Sequence, residues 1–225
     1  MRASKSWDEF VVAWAGAFGG FDVRYAGAPR RGLLNVAYRL AAPLAHHGVR
    51  AASMNMLAIA CSIAVPLVAW PGGGWPFIAA ISLCLGLLAS TVASGLVILH
   101  GRQTRLASFR QALTERFSEL CWLIALMALG TRPWIVFVLG SLTLLHEYVR
   151  ARGGVAEMRP VASNTVGDRP MRVWLTIVAL VLASITAPLG PEVVAGAVTL
   201  VAMIWMVLGL IGFFQLLTIM RRVLA

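Results

Sequence analysis

Glu115 and Glu119 stand one helical turn apart in the stretch TERFSEL, and they are the only acids between Asp22 and Glu147. An i, i+4 pair lies on one helix face. Two carboxylates so arranged can hold a hard divalent cation, or one of them can take the proton of an attacking hydroxyl. Gln111, a turn earlier, adds an amide oxygen but no charge. Upstream, Ser90, Thr91 and Ser94 bring hydroxyls to the end of an apolar run, and Gly95 and Gly101 flank its junction with the basic turn GRQTR. Arg102, Arg105 and Arg110 around that turn, and Arg150 and Arg152 in LLHEYVRAR, are candidates for binding phosphate.

Each of these residues also has a purely structural reading. Small polar residues such as Ser90, Thr91 and Ser94 let membrane helices pack closely. Arginines at helix ends orient a membrane protein, and the two glutamates can pair with Arg105, Arg110 or Arg116. Acids near membrane depth are costly enough to be functional candidates all the same. Cys61, Cys84 and Cys121 are scattered through apolar runs as small core residues, and His46, His47, His100 and His146 share no ligand spacing with acids or cysteines. No metal site is predicted from these spacings.

The elements that must position these residues are membrane helices. The chain of 225 residues is 60% hydrophobic and 12% charged, with mean hydropathy +0.82, the composition of an integral membrane protein. Crossing a hydrocarbon layer takes roughly 20 helical residues. Six runs qualify: about Met54 to Trp70, Pro76 to Leu99, Leu120 to Leu129 with a polar start reaching back to Glu115, Pro133 to Val149, Val173 to Ala187, and Glu192 to Met220. The third is too short in its apolar part alone, so its polar turns are expected to face a protein interior rather than lipid. Before the first run, LLNVAYRLAAPLAHHGVR gathers Leu33, Leu34, Ala37, Leu40 and Leu44 on one side, as an amphipathic helix in the interface does. Residues 1–31 form an N-terminal extension and residues 32–225 a single membrane domain, with the candidate site in residues 90–119.

Charge placement predicts the orientation. Of the 19 Lys and Arg, seven precede the first run, four lie between the second and third, five between the fourth and fifth, and two follow the sixth; Arg132 alone falls on the other side. The positive-inside rule then puts both termini and the two longer loops in the cytoplasm, in a multi-pass protein of the inner (cytoplasmic) membrane. A net charge of +10 gathered on that face suits anionic head groups or phosphorylated ligands, and nucleic acid is not an expected partner.

Five stretches in order, YRLAAPLAHHGVR, GRQTR, TERFSEL, LLHEYVRAR and GDRPMRV, resemble actinobacterial-type members of the CDP-alcohol phosphatidyltransferase family, over about Tyr38 to Val181. The resemblance implies an all-α membrane fold of six spans behind a juxtamembrane helix. It also implies transfer of a CDP-linked group to a hydroxyl with loss of CMP, on a cation-bound pyrophosphate. The family motif runs Asp-x-x-Asp-Gly-x-x-Ala-Arg, then Gly-x-x-x-Asp-x-x-x-Asp. Aligned on Glu115, which takes the position of the general base, the third aspartate becomes Gln111 and the second glycine Ala107. The first two aspartates become Ser90 and Ala93 in one register, or Thr91 and Ser94 with Gly95 at the motif glycine in the other. The Ala-Arg pair becomes Val97-Ile98 or Ile98-Leu99.

The scaffold of the motif is therefore present without its aspartates. The reading that follows is a non-catalytic or strongly altered family member, a partner or regulator of phospholipid head-group synthesis or a binder of membrane lipid, CDP-linked lipid or nucleotide, with no cofactor. Its assembly is open between a homodimer and a complex with a partner enzyme. The alternative is an active transferase in which Glu115, Glu119 and Gln111 hold one Mg²⁺ or Mn²⁺. Thr91, Ser94, Gly95, Arg102, Arg105, Gln111, Glu119, Arg150 and Arg152 are the candidate substrate contacts and Glu115 the candidate base.

Overall fold

The computed structural model describes residues 6–17, 27–155 and 165–224, so the rest of the N-terminal extension lies outside it. Among the described residues there are eight α-helices and no strand: α1 Trp7–Ala17, α2 Ala28–His46, α3 Ala51–Ala69, α4 Trp75–Leu99, α5 Arg105–Ala128, α6 Pro133–Val155, α7 Arg169–Thr186 and α8 Pro191–Leu224. A single 3₁₀ turn, Ala187–Leu189, follows α7 at the PLGP stretch. The chain is an all-helical integral membrane protein. α3, α4, α6, α7 with its 3₁₀ turn, and α8 are each long and apolar enough to cross a membrane.

α5, of 24 residues, departs from expectation. It starts at Arg105 rather than near Glu115, so Arg105, Arg110 and Arg116 are helical residues and not loop charges. Thr104 caps it, its Oγ1 accepting from the Ala107 N–H at 3.1 Å. Leu106, Phe109, Leu113, Phe117, Leu120, Ile124 and Met127 form an outward-facing apolar stripe at helical spacing. Thr114, Ser118 and Glu119 on the other side are buried. Thr114 and Ser118 donate their hydroxyls to the carbonyls of Arg110 (3.0 Å) and Thr114 (2.8 Å). The polar count of the first turns thus hides a helix whose outer face is apolar along its whole length.

The described residues fall into two units, one of residues up to Ser62 with Cys84–Ser118, the other of Ile63–Leu83 with residues from Glu119 onward. In the first, Ala37 and Ala41 of α2 pack with Val92 and Leu96 of α4. On α2, Leu34, Ala37 and Ala41 are buried and Leu40 is exposed. Small residues are selected here because α4 comes close; a Cβ on Gly95 would lie 3.2 Å from the Ala41 Cβ. α1 is an element the composition of the extension does not announce. Its start is a reciprocal capping box in SWDE, the Ser6 N–H donating to Glu9 Oε2 (3.0 Å) and the Glu9 N–H to Ser6 Oγ (3.3 Å). Phe10 and Val11, both fully buried, then pack with Leu34 and Ile98, and Phe10 lies against Tyr38, ring centroids 4.9 Å apart.

In the second unit α8 packs against both α6 and α7, and Trp122, Leu126, Leu139, Leu180, Trp205 and Leu216 are buried. α5 ends there in a glycine turn: Gly130 has φ 100°, and the N–H of Thr131 and of Gly130 reach back to Leu126 (3.1 Å) and Met127 (3.1 Å). That left-handed step is one only glycine takes without strain.

Candidate functional site

The candidate residues of α4 and α5 meet at a cavity inside the first unit. α4 ends in a turn of the same kind, with Gly101 at φ 63° and the N–H groups of Arg102 and Gly101 bonded to Val97 (3.0 Å) and Ile98 (3.1 Å). The turn satisfies the last carbonyls of α4 and sends the chain through Gln103 and Thr104 into α5. The cavity between these elements and α3 measures about 300 Å³, and its walls include Ala93 and Ser94 of α4, Arg105, Ala107, Arg110 and Gln111 of α5, Asn55 of α3, and Ala17 at the end of α1.

Around this cavity the predicted residues divide. Ser94 is buried and donates to the Ser90 carbonyl at 3.2 Å. Thr91, half-buried, donates to Leu87 at 2.8 Å, so its hydroxyl is held within α4. Gly95 serves the approach of α2. Gln111 Nε2 donates to Glu115 Oε1 at 2.9 Å, and Arg116 stands 3.9 Å from the same carboxylate. Arg102 is exposed in the turn, and Arg105 and Arg110 are exposed at the cavity rim. No carboxylate lines the cavity among the described residues.

Glu119, the second acid of the pair, is engaged in the second unit. Its Oε2 accepts from Arg172 Nη1 at 3.1 Å, and Arg172 also donates to Glu147. Arg172 is 1% exposed. By charge count it belonged to a cytoplasmic loop; it is instead a core residue of α7, because two carboxylates from α5 and α6 neutralise it there. Arg150, expected for anion binding, pairs with Asp168 and reaches Thr165 Oγ1 at 3.4 Å. Thr165 in turn donates to Asp168 (2.7 Å) and lies 3.3 Å from His146 Nε2. Arg152 is exposed in the last turn of α6. Sequence reasoning missed Arg172, Asp168 and Thr165 as partners; the stretch GDRPMRV held the first two but not their destinations. It also missed Asn55, which carries no spacing signal. Among the described residues no three His, Cys, Asp or Glu side chains come together in a way that could hold a metal ion.

Comparison of this arrangement with solved structures decides its architecture. The phosphatidylinositol phosphate synthase of Mycobacterium tuberculosis, crystallised with CDP-DAG bound, superposes with a TM-score of 0.63 over 83% of this chain and 94% of that one, at 18% identity. The chain has the CDP-alcohol phosphotransferase fold. A second crystal structure of the same mycobacterial enzyme, with manganese and citrate, agrees: TM-score 0.62, 20% identity, 82% of this chain and 88% of that one. No protein-family model and no curated protein matches the sequence. At such identities the likeness establishes the CDP-alcohol phosphotransferase fold and nothing finer.

Proposed function

We propose that the chain is a non-catalytic or strongly altered member of the CDP-alcohol phosphatidyltransferase family. In this reading it keeps a ligand cavity and serves phospholipid head-group synthesis as a partner or regulator, in the cytoplasmic membrane with both termini cytoplasmic. The observation that carries the reading is the coincidence of cavity and motif. Ala93, Ser94, Ala107 and Gln111, which take motif positions in one or other register, all line the cavity, and none brings a negative charge.

The fold neighbour was crystallised with manganese, so the donor set here must be weighed against a cation. Hard divalent ions take carboxylate and carbonyl oxygens. Here the residues at hand are one alanine, hydroxyls already turned to helix carbonyls, and an amide whose nitrogen is directed at Glu115. Among the described residues Glu115 is the single acid beside them, and Arg116 shares it. Such a set does not fit a dinuclear cation site. The outward apolar stripe of α5 supports counting it as a sixth span.

The test is release of CMP from a CDP-linked lipid by the purified full chain with Mg²⁺ or Mn²⁺. No release above a protein-free control is expected. Release that depends on the cation and disappears in Glu115→Ala would establish the active alternative instead.

A further inference from the structure

We infer that the cavity beside the start of α5 binds a phosphate-bearing ligand directly on Arg105 and Arg110, with no divalent cation between. The inference rests on reading this cavity as the ligand pocket of the chain, and it specifies the ligand chemistry of that pocket.

A site built of carboxylates repels phosphate until metal ions reverse its sign. The sign here is reversed already. Two guanidinium groups lie at the rim, and among the described residues no lining side chain is acidic. Arginine is the side chain suited to this work, since its planar fork of donors matches phosphate oxygens and its charge does not depend on pH in the ordinary range. Gln103, Ser108 and Asn55 add neutral polar groups to the same walls.

The backbone works in the same direction. Gln103, Thr104, Arg105, Ala107 and Ser108 form one wall, so the first turn of a 24-residue helix borders the cavity, and a helix start carries partial positive charge. Glu115, the nearest acid on α5, is held by Gln111 and Arg116, which offsets its repulsion. A volume of about 300 Å³ is at the small end of ligand pockets and admits a diphosphate with a small polar group rather than acyl chains. The chemistry is shared by a soluble nucleotide diphosphate and by the head of a CDP-linked lipid.

Binding to the detergent-solubilised full chain separates these sources and tests the inference. Three probes are titrated in excess EDTA: pyrophosphate, CDP, and CDP-diacylglycerol in nanodiscs. Saturable binding is expected, changed less than about twofold by adding Mn²⁺ and weakened about tenfold or more in Arg105→Gln or Arg110→Gln, the loss typical of a charge-assisted hydrogen bond. Both arginines are exposed, so unchanged thermal unfolding is expected of the variants. Binding of the soluble probes, or of the lipid alone, supports the inference and names the source. Binding that needs Mn²⁺, binding indifferent to both substitutions, or no binding of any probe would overturn it. No turnover is read, so CMP release in the other assay would sink the non-catalytic reading while leaving this one standing.

Discussion

Arg172 Nη1 lies 3.1 Å from Glu119 Oε2, with both side chains almost wholly buried in the second unit. Glu147 accepts from the other terminal nitrogen of the same guanidinium. One cation of α7 is thereby tied to acids of α5 and α6. An ion group this deep gains little net stability over an apolar one, but losing one member leaves an uncompensated charge.

Arg172→Ala is therefore expected to destabilise the protein by about 3–5 kcal/mol, since it strands two carboxylates. Glu119→Gln should cost less, because Glu147 still neutralises the arginine. Thermal unfolding of both variants in the same detergent checks the order, and equal midpoints for Arg172→Ala and the parent chain would dismiss the argument.

Gly130→Ala is expected to lose about 2 kcal/mol or more, combining left-handed strain with overpacking. Its φ is 100°, and a Cβ there would come within 2.7 Å of the Ala195 Cβ. Gly196→Ala, on α8 with nothing within 4 Å of an added Cβ, is the control and should be near neutral.

Phe10→Ala should release α1 from its seat. Phe10 is fully buried among Trp7, Trp14 and Tyr38, and truncating a buried phenylalanine costs about 3–5 kcal/mol. The loss should appear as faster limited proteolysis on the N-terminal side of α2, with the rest of the chain as resistant as before. Cleavage at the parent rate would show that the aromatic cluster does not hold α1.

Orientation is testable by cysteine accessibility in a background lacking Cys61, Cys84 and Cys121. Gly74→Cys and Arg132→Cys should be labelled from outside the membrane and Arg102→Cys only from the cytoplasm. Gly74 is chosen over Gly72 and Gly73 because those two have φ near 71° and 61°, where a side chain is strained. Labelling of all three from one side would overturn the assignment, and labelling of Gly74→Cys and Arg132→Cys only from the cytoplasm would reverse it.

Much of the fold was legible because membrane helices announce themselves locally. Apolar runs bounded by PGGG, Pro133 and PLGP correspond to α3, α4, α6, α7 and α8 within about four residues of the observed ends, except that α6 continues past Val149 to Val155. A run-length criterion failed on α5, whose inner face is polar from Thr114 to Glu119 and whose outer stripe from Leu106 to Met127 shows only at helical period. α1 escaped for a related reason: its capping box spans four residues within a mixed, glycine-containing extension, and its burial depends on Tyr38 and Ile98, far along the chain.

By itself the sequence determined which segments are apolar enough for a membrane, where the cations gather, and that Ser90, Thr91, Ala93, Ser94 and Gln111 carry no negative charge. These are properties of single residues and short spacings. Only the tertiary structure decided that Glu119 belongs to Arg172, that Arg150 is engaged by Asp168, and that Arg105 and Arg110 share a cavity with Asn55. Charge pairing and burial depend on distances between residues that α-helices bring together from 18 to 53 positions apart, and no local pattern encodes which distant side chain a buried charge will meet.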